Sequence, residues 1–389
     1  MNAVYLSYDG ALDALGASQV VPYLLGLAAR GVGLTLVSFE KAERFADRAA
    51  RAALGERLAA AGIAWRPLAY HRRPRLPATA FDLLQGARAL RAAVRASGAR
   101  LVHCRAEVAM AMARLARLPR AVKVLHDMRA LFSEERVASG SWAAGGVLDR
   151  LVRRVEAGNL RRGDALVVLT DRAREHVAAR RHPLPPLAVI PTCVDTEAFT
   201  PRPAGMAPRF GLAYAGSLGA LYLTAEMVDF ARRFSARLGG RALFLTPQPE
   251  VARAAGADDS WAEVGTAAPA AVPARLREAG ALFFFLRSYA GAAAACPTKM
   301  AEALASGLPV LCNRGIGDLD RLLPAERVGV LLEDFTPAGT EAAAGALQAL
   351  LADPGLADRC RRVAAERFGL AAGVAAYHRL YGELGDDVR

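Results

Sequence analysis

The chain has 389 residues, comfortable for two domains and long for one. It is 53% hydrophobic and 23% charged, as in a soluble globular protein, and no apolar run approaches the roughly 18–20 residues of a membrane span. The net charge of +12 falls wholly in residues 1–200, with 30 basic against 18 acidic side chains; residues 201–389 hold 20 of each, so the first half is expected to face something anionic.

Met1 runs straight into Ala3, Val4, Tyr5 and Leu6, with no basic stretch and no small-residue cleavage site. No signal peptide is expected, and a cytoplasmic home follows, with the inner face of the cytoplasmic membrane as the place to look for an anionic partner. The five cysteines, Cys104, Cys193, Cys296, Cys312 and Cys360, form no CxxC pair and read as buried thiols.

In chain order, apolar runs of strand length stand at 3–8, 34–39, 101–104, 122–125, 165–169 and 187–190, and again at 212–215, 242–245, 281–286, 309–312 and 328–332. Helix-length segments lie between them, among them 18–29, 81–96 and 340–351. Near-continuous apolar strands alternating with helices imply parallel sheets covered on both faces. The pattern occurs twice, around a proline-rich stretch without a clear period. The expected architecture is therefore α/β, two Rossmann-like doubly wound domains facing a central cleft. The N-terminal domain spans 1–190, the linker 191–209 and the C-terminal domain 210–370; a last helix in 371–389 packs back on either half. Sheets of this kind bind ligands outside the carboxyl ends of their strands.

The strongest local pattern runs from Cys296 to Val310. Pro297 suits the first position of a helix, and the free N–H groups after it make an anion site fit for a diphosphate. Thr298 is one of those residues. Lys299 adds a full charge, and Glu302 follows about one turn later, where a carboxylate accepts hydrogen bonds from ribose hydroxyls. An ordinary helix with a solvated Lys–Glu pair accounts for the spacing equally well. A second candidate anion site is the first strand-to-helix turn, where Gly16 permits close backbone approach and Ser18 is placed to cap a helix; a plain capped turn is the alternative. Neither GxGxxG nor a P-loop occurs. A third cluster, His126, Asp127 and Arg129, follows the run at 122–125, with Glu135 close behind. It reads either as groups facing the crevice or as a network bracing a loop. His103 and Arg105 stand at the end of another strand and read as an inward-facing pair or as part of the same wall. Asp318 and Asp320 match a D-x-D metal signature but open a helix, so a cap explains them.

Taken together, these pieces resemble bacterial GT-B glycosyltransferases of the retaining family 4 type, many of which build surface polysaccharides. The resemblance covers nearly the whole chain. It rests on Tyr8-Asp9-Gly10 through Gln19, Ser38 to Lys41, His126 to Arg129 with Glu135-Arg136-Val137, Ile190 to Asp195, Tyr214 to Gly219, Pro297-Thr298-Lys299 with Glu302, and Gly315 to Asp318.

It implies transfer of a sugar from a nucleotide-diphosphate sugar to a glycan or lipid-linked acceptor, with retention, in surface polysaccharide or glycolipid assembly. The donor would be held by the C-terminal domain at Ser217, Gly219, Arg287, Pro297, Thr298, Lys299 and Glu302, with Gly16 reaching its phosphate from the N-terminal domain. His126, Asp127 and Arg129 would carry the catalytic role, and Arg105 and Glu135 the acceptor side. No cofactor and no obligate metal are implied. Two departures from the family pattern stand out. Ala294 occupies the place of the first glutamate of a pair, and Ser217 stands where an arginine of the diphosphate grip is usual, which leaves Lys299, with Arg287, as the replacement. A nucleotide-sugar epimerase and a catalytically degenerate partner subunit remain alternative readings. A nucleic-acid binder is disfavoured, since no binding module or aromatic stacking surface accompanies the basic residues. The basic half fits peripheral contact with an anionic membrane better.

Overall fold

The computed structural model describes residues 1–179, 184–203 and 205–386. The chain divides into two compact units. The first comprises 1–133, 143–190 and 370–389, and the second 134–142 and 191–369. Of the helix expected in 371–389, residues 387–389 lie outside the described residues, as do 180–183 and 204 elsewhere.

Unit 1 is built on β1 (Asn2–Ser7), β2 (Gly33–Glu40), β3 (Ala64–Ala69), β4 (Leu101–Arg105), β5 (Lys123–Asp127), β6 (Ala165–Val168) and β7 (Leu187–Val189). They form one parallel sheet in the order β3-β2-β1-β4-β5-β6-β7. Unit 2 is built on β8 (Phe210–Ala215), β9 (Arg241–Leu245), β10 (Ala262–Gly265), β11 (Ala279–Phe284), β12 (Val310–Asn313) and β13 (Gly329–Leu332), parallel in the order β10-β9-β8-β11-β12-β13. Both are doubly wound α/β sheets, and in each the winding reverses next to the first strand: between β1 and β4, and between β8 and β11. Burial follows from this topology. Strands covered on both faces must be apolar throughout, and β8 and β11 are buried at every residue. Phe283, Phe284 and Phe285 are fully buried in the unit 2 core.

Three local expectations are corrected. The segment 18–29 is two helices, Ala14–Gln19 and Val21–Ala28, because Val20 leaves helical geometry and Pro22 opens the second one. Ser18 consequently sits inside the first helix, where its hydroxyl donates to the Ala14 carbonyl at 2.9 Å, and caps nothing. Pro297 is the residue before the helix Thr298–Ala305, with extended geometry, rather than its first helical residue.

Candidate functional site

In unit 1 the carboxyl ends of β1, β4 and β5 bring Asp9, Arg105, Asp127 and Arg129 together. Arg105 and Asp127 are register partners on neighbouring strands and so share a face. Asp127 is buried and faces three partners. His103 Nε2 is 3.3 Å from its carboxylate, Arg129 Nη1 3.4 Å and Arg105 Nη1 3.8 Å; Asp9 lies 3.7 Å from Arg105. Burial alone would raise the Asp127 pKa, but Arg129, His103 and Arg105 outweigh it and hold the carboxyl well below its usual range. Burial likewise opposes the charge on Arg129, and Asp127 restores it. His103 is lowered by burial in spite of Asp127 and is neutral at pH 7. Its partners assign the tautomer: Nε2–H donates to Asp127, and Nδ1 accepts from the Tyr381 hydroxyl at 2.8 Å. Tyr381 belongs to the final helix, Leu370–Asp386, so the end of the chain reaches the strand ends through one imidazole. Directly after Arg105, Ala106 takes φ +65°, a left-handed conformation that costs a non-glycine residue about 1–2 kcal/mol.

The expected trio of His126, Asp127 and Arg129 is not one cluster. Successive strand side chains point to opposite faces, so His126 lies on the other side of β5 from Asp127. It is 1% exposed, with Nε2 3.2 Å from Glu107, which in turn binds the Asn159 amide at 2.6 Å. Glu135 is half-buried and groups with unit 2, where its charge acts on Tyr222 and Tyr289.

A residue that the candidate assignments leave out braces the first loop. Glu40 is buried at the end of β2, and its carboxylate accepts from Ala11 N at 2.8 Å, Leu12 N at 3.2 Å and Ser38 Oγ at 2.6 Å. The signal was available in the sequence, since a carboxylate closing an apolar strand needs donors, and the glycine-containing turn after β1 supplies them. Gly16 packs against the same loop. A Cβ there would lie 2.0 Å from the Gly10 carbonyl oxygen and 2.7 Å from Ala11 Cα, so its lack of a side chain serves contact with the chain's own backbone.

In unit 2 the turn after β8 and the start of the helix Thr298–Ala305 form one assembly. Lys299 is 7% exposed, and its Nζ donates to the Tyr214 hydroxyl at 2.9 Å. It also lies 4.0 Å from the centre of the Tyr214 ring and 3.9 Å from that of Tyr222. Tyr214 passes the contact on by donating to the Ser217 carbonyl at 2.5 Å. Gly216 has φ +129°, and a Cβ there would come within 3.0 Å of Lys299 Nζ, so glycine is required by backbone and by lysine alike. The turn is fixed further by Leu218 N to Gln248 at 3.0 Å and by Arg287 N to the Leu221 carbonyl at 2.8 Å. Ser217, Gly219 and the Arg287 side chain are exposed, and Pro297, Thr298 and Glu302 are half-buried. Burial pulls the Lys299 ammonium well below the usual lysine value, partly offset by Glu302. Burial pushes the Glu302 carboxyl up to about 7, partly offset by Lys299. Asn313, at the end of β12, holds the end of β11 by bonding both the N–H and the carbonyl of Leu286, at 2.8 and 3.0 Å.

Ala294 is buried, so no carboxylate projects from that position. Asp320 accepts from Gly315 N at 3.0 Å, whereas Asp318, at the start of its helix, makes no side-chain cap. Among the described residues no group of three or more His, Cys, Asp or Glu side chains is disposed to hold a metal ion, and no helix is long and apolar enough to cross a membrane.

Residues 17–198 match the model of the family described as Glycosyltransferase Family 4. The match covers 182 of the 389 residues, just under half of the chain, and the chain is a glycosyltransferase. Solved structures agree on the fold over both units. Sucrose-phosphate synthase of Thermosynechococcus elongatus is similar at 16% identity, with 99% of each chain covered and a TM-score of 0.71. HepE of Anabaena, solved with UDP and glucose, is similar at 13% identity, covering 98% of this chain and 100% of its own, with a TM-score of 0.68. The lipopolysaccharide outer core galactosyltransferase WaaB is similar at 12% identity, covering 98% and 100%, with a TM-score of 0.61. A search of curated proteins returned no match. The two sheets are thus those of the GT-B fold.

Proposed function

We propose that this glycosyltransferase uses a nucleotide-diphosphate sugar as donor, held by unit 2, and transfers the sugar with retention to a glycan or lipid-linked acceptor in surface polysaccharide or glycolipid assembly. The observation that carries the donor assignment is the assembly of Gly216, Tyr214 and Lys299 at the strand ends, with Glu302 one turn along the same helix. Helix-start amides and a buried ammonium meet a glycine turn there, which is a setting for a diphosphate. Glu302 takes the ribose hydroxyls, and Ser217, Gly219, Arg287, Pro297 and Thr298 complete the donor wall. HepE is a protein of this fold solved with UDP and with UDP-glucose, which supports a nucleotide sugar here.

Lys299 has two duties in this reading. It carries charge toward the leaving diphosphate, and through Tyr214 it sets the shape of the glycine turn. Its single hydrogen bond leaves two of its three N–H groups for the ligand. On the acceptor side, Arg105 and Arg129 present two guanidiniums against Asp127, which orients them, and His103 fixes Asp127 in turn. No protein nucleophile is invoked, since the Asp127 carboxylate is occupied by these partners and the departing phosphate serves as the base.

The test is a thermal-shift and hydrolysis screen across UDP-, GDP-, ADP- and dTDP-sugars, followed by NMR of the product anomer. One donor class is expected to stabilise the protein and to give a product with the donor's anomeric configuration; an inverted linkage overturns retention. Lys299→Met, which keeps the apolar stem, is expected to weaken donor binding about 10- to 100-fold while the fold is retained. Wild-type donor affinity in that variant would put the diphosphate on another group. The buried Ala294 favours a second reading, a degenerate partner subunit, and stabilisation by no sugar nucleotide in the screen would support it.

A further inference from the structure

One buried carboxylate of unit 1 takes no part in the Asp127 or Glu40 networks. Asp82, in the helix Arg75–Ser97, is fully buried. A carboxylate in that position needs donors, and it has three. The Tyr8 hydroxyl donates to it at 2.9 Å, the His71 backbone N–H at 3.1 Å and His71 Nδ1–H at 2.6 Å. Two of the three come from His71, which follows the end of β3 by two residues. The His71 side chain is 41% exposed, and its Nε2 has no partner among the described residues. The charge buried at Asp82 therefore chiefly fixes the orientation of one half-exposed imidazole.

Phe81, the residue before Asp82, is 52% exposed and meets the His71 ring edge to face, with centroids 4.9 Å apart and planes at 84°. The phenyl offers an apolar face, and Nε2 offers a hydrogen bond beside it. A sugar ring has the matching pair of surfaces, C–H groups on one face and hydroxyls around the rim. A lipid chain would use only the phenyl, and a phosphate only the imidazole. Because Asp82 already fixes the imidazole, little side-chain freedom is lost on contact. The loop after β1 ties this pair to the groups at the ends of β4 and β5. Tyr8 binds Asp82, and the next residue, Asp9, lies 3.7 Å from Arg105. Between β3 and β4 stand β2 and β1, so the pair is three strand spacings from Arg105, roughly 14–15 Å. A single sugar does not span that distance.

We propose that Phe81 and His71 form a subsite for a remote sugar of the acceptor, and that the acceptor is an oligosaccharide whose reacting end lies toward Arg105 and Asp127. Phe81 takes the C–H face of the sugar ring, and His71 Nε2 bonds a hydroxyl at its rim. Asp82 and Tyr8 are positioning residues that hold the imidazole in place. The inference rests on unit 1 being the acceptor side, and it does not depend on which donor unit 2 takes.

Saturation-transfer NMR on the full chain, without donor, tests it with maltotriose, cellotriose and chitotriose as probes. Irradiation of the protein's aromatic protons is expected to mark one terminal ring of at least one trisaccharide more strongly than its other rings. Phe81→Ala is expected to weaken that binding about tenfold, and His71→Gln about fivefold. Phe81→Tyr keeps the ring and is expected to stay within about twofold of wild type. Phe81 is exposed, so circular dichroism melts of its variants and the thermal shift given by the donor are expected to match wild type, which separates loss of the subsite from loss of fold or donor site. Absence of saturation transfer to all three trisaccharides overturns the subsite, and so does binding that Phe81→Ala leaves intact. A trisaccharide that binds in the expected way while no sugar nucleotide stabilises the protein upholds the subsite and removes only the donor reading.

Discussion

At the scale of single residues, the donor side is governed by two ionisable groups that work against each other, the buried Lys299 and the half-buried Glu302. Glu302 is the more easily measured. Its pKa is pushed up to about 7 from an ordinary glutamate value near 4.5, first by burial and against the pull of Lys299. The folded state therefore binds more protons than the unfolded chain between these values. The stability linked to this carboxyl is fully present below about pH 4.5 and is lost as pH rises through about 7. Glu302→Gln removes the titration and keeps the shape. Relative to that variant, wild type is expected to lose roughly 1–2 kcal/mol between pH 5 and pH 8, after allowance for partial solvent screening. Denaturant melts of both proteins at the two pH values check it, and parallel slopes would mean that Glu302 titrates normally. The residue types Lys299 and Glu302 were legible in the sequence because a proline, a lysine and a glutamate at a helix start have a recognisable spacing. What Lys299 touches was not legible. Its partners Tyr214 and Tyr222 come from another strand-and-turn segment, and only the fold brings them to the lysine. His126 was over-read for the reverse reason: proximity in sequence placed it beside Asp127, whereas strand alternation separates the two side chains.

At the scale of elements, the sequence identified every strand but two, and those it identified include the outermost and half-buried β7 and β13. β3 reads Ala-Trp-Arg-Pro-Leu-Ala, half-exposed and carrying a proline, and β10 reads Ala-Glu-Val-Gly. Each is the outermost strand of its sheet, where one side needs no partner and a proline is tolerated. These two edge strands thus lack the continuous apolar signal that made β8 and β11 plain, whereas the edge strands β7 and β13 keep it. The first helix hid its role in another way. Gly16 looked like an opening toward a phosphate, but its space is taken by the backbone of residues 10 and 11, held in turn by Glu40. Gly16→Ala is expected to destabilise the protein by about 1–3 kcal/mol, because the atoms that its methyl meets are backbone and cannot rotate away. Urea unfolding measures this. An unchanged midpoint would show that the short helix shifts at no cost, leaving Gly16 to be explained by ligand approach alone.

At the scale of the whole molecule, chain order and unit membership part company at the end of the sequence. The last helix reads as a plain amphipathic segment that suits either half. The fold assigns it to unit 1, nearly the whole chain away from β1. Gly26 explains the close crossing, since a Cβ there would fall 2.7 Å from Val374. Val374, Tyr377, Leu380, Tyr381 and Leu384 are all buried, and Tyr381 adds its hydrogen bond to His103. Burying a large apolar side chain contributes about 1.5–3 kcal/mol, so five of them match the whole stability of a typical domain, roughly 5–15 kcal/mol. A chain ending at Gly369 is therefore expected to lose unit 1 and to keep unit 2, although the residues removed follow unit 2 directly. Limited proteolysis with mass spectrometry should find cuts within 1–133 while 191–369 survives and still responds to a sugar nucleotide. Tyr381→Phe is the graded control: it keeps the packing, removes one buried hydrogen bond, and is expected to cost about 1–1.5 kcal/mol. If the truncated chain protects 1–133 as well as the full protein does, the helix is an accessory and the His103 contact is not what holds Asp127. If 191–369 is cut first, the last helix supports unit 2 instead, and the division of the chain must be redrawn.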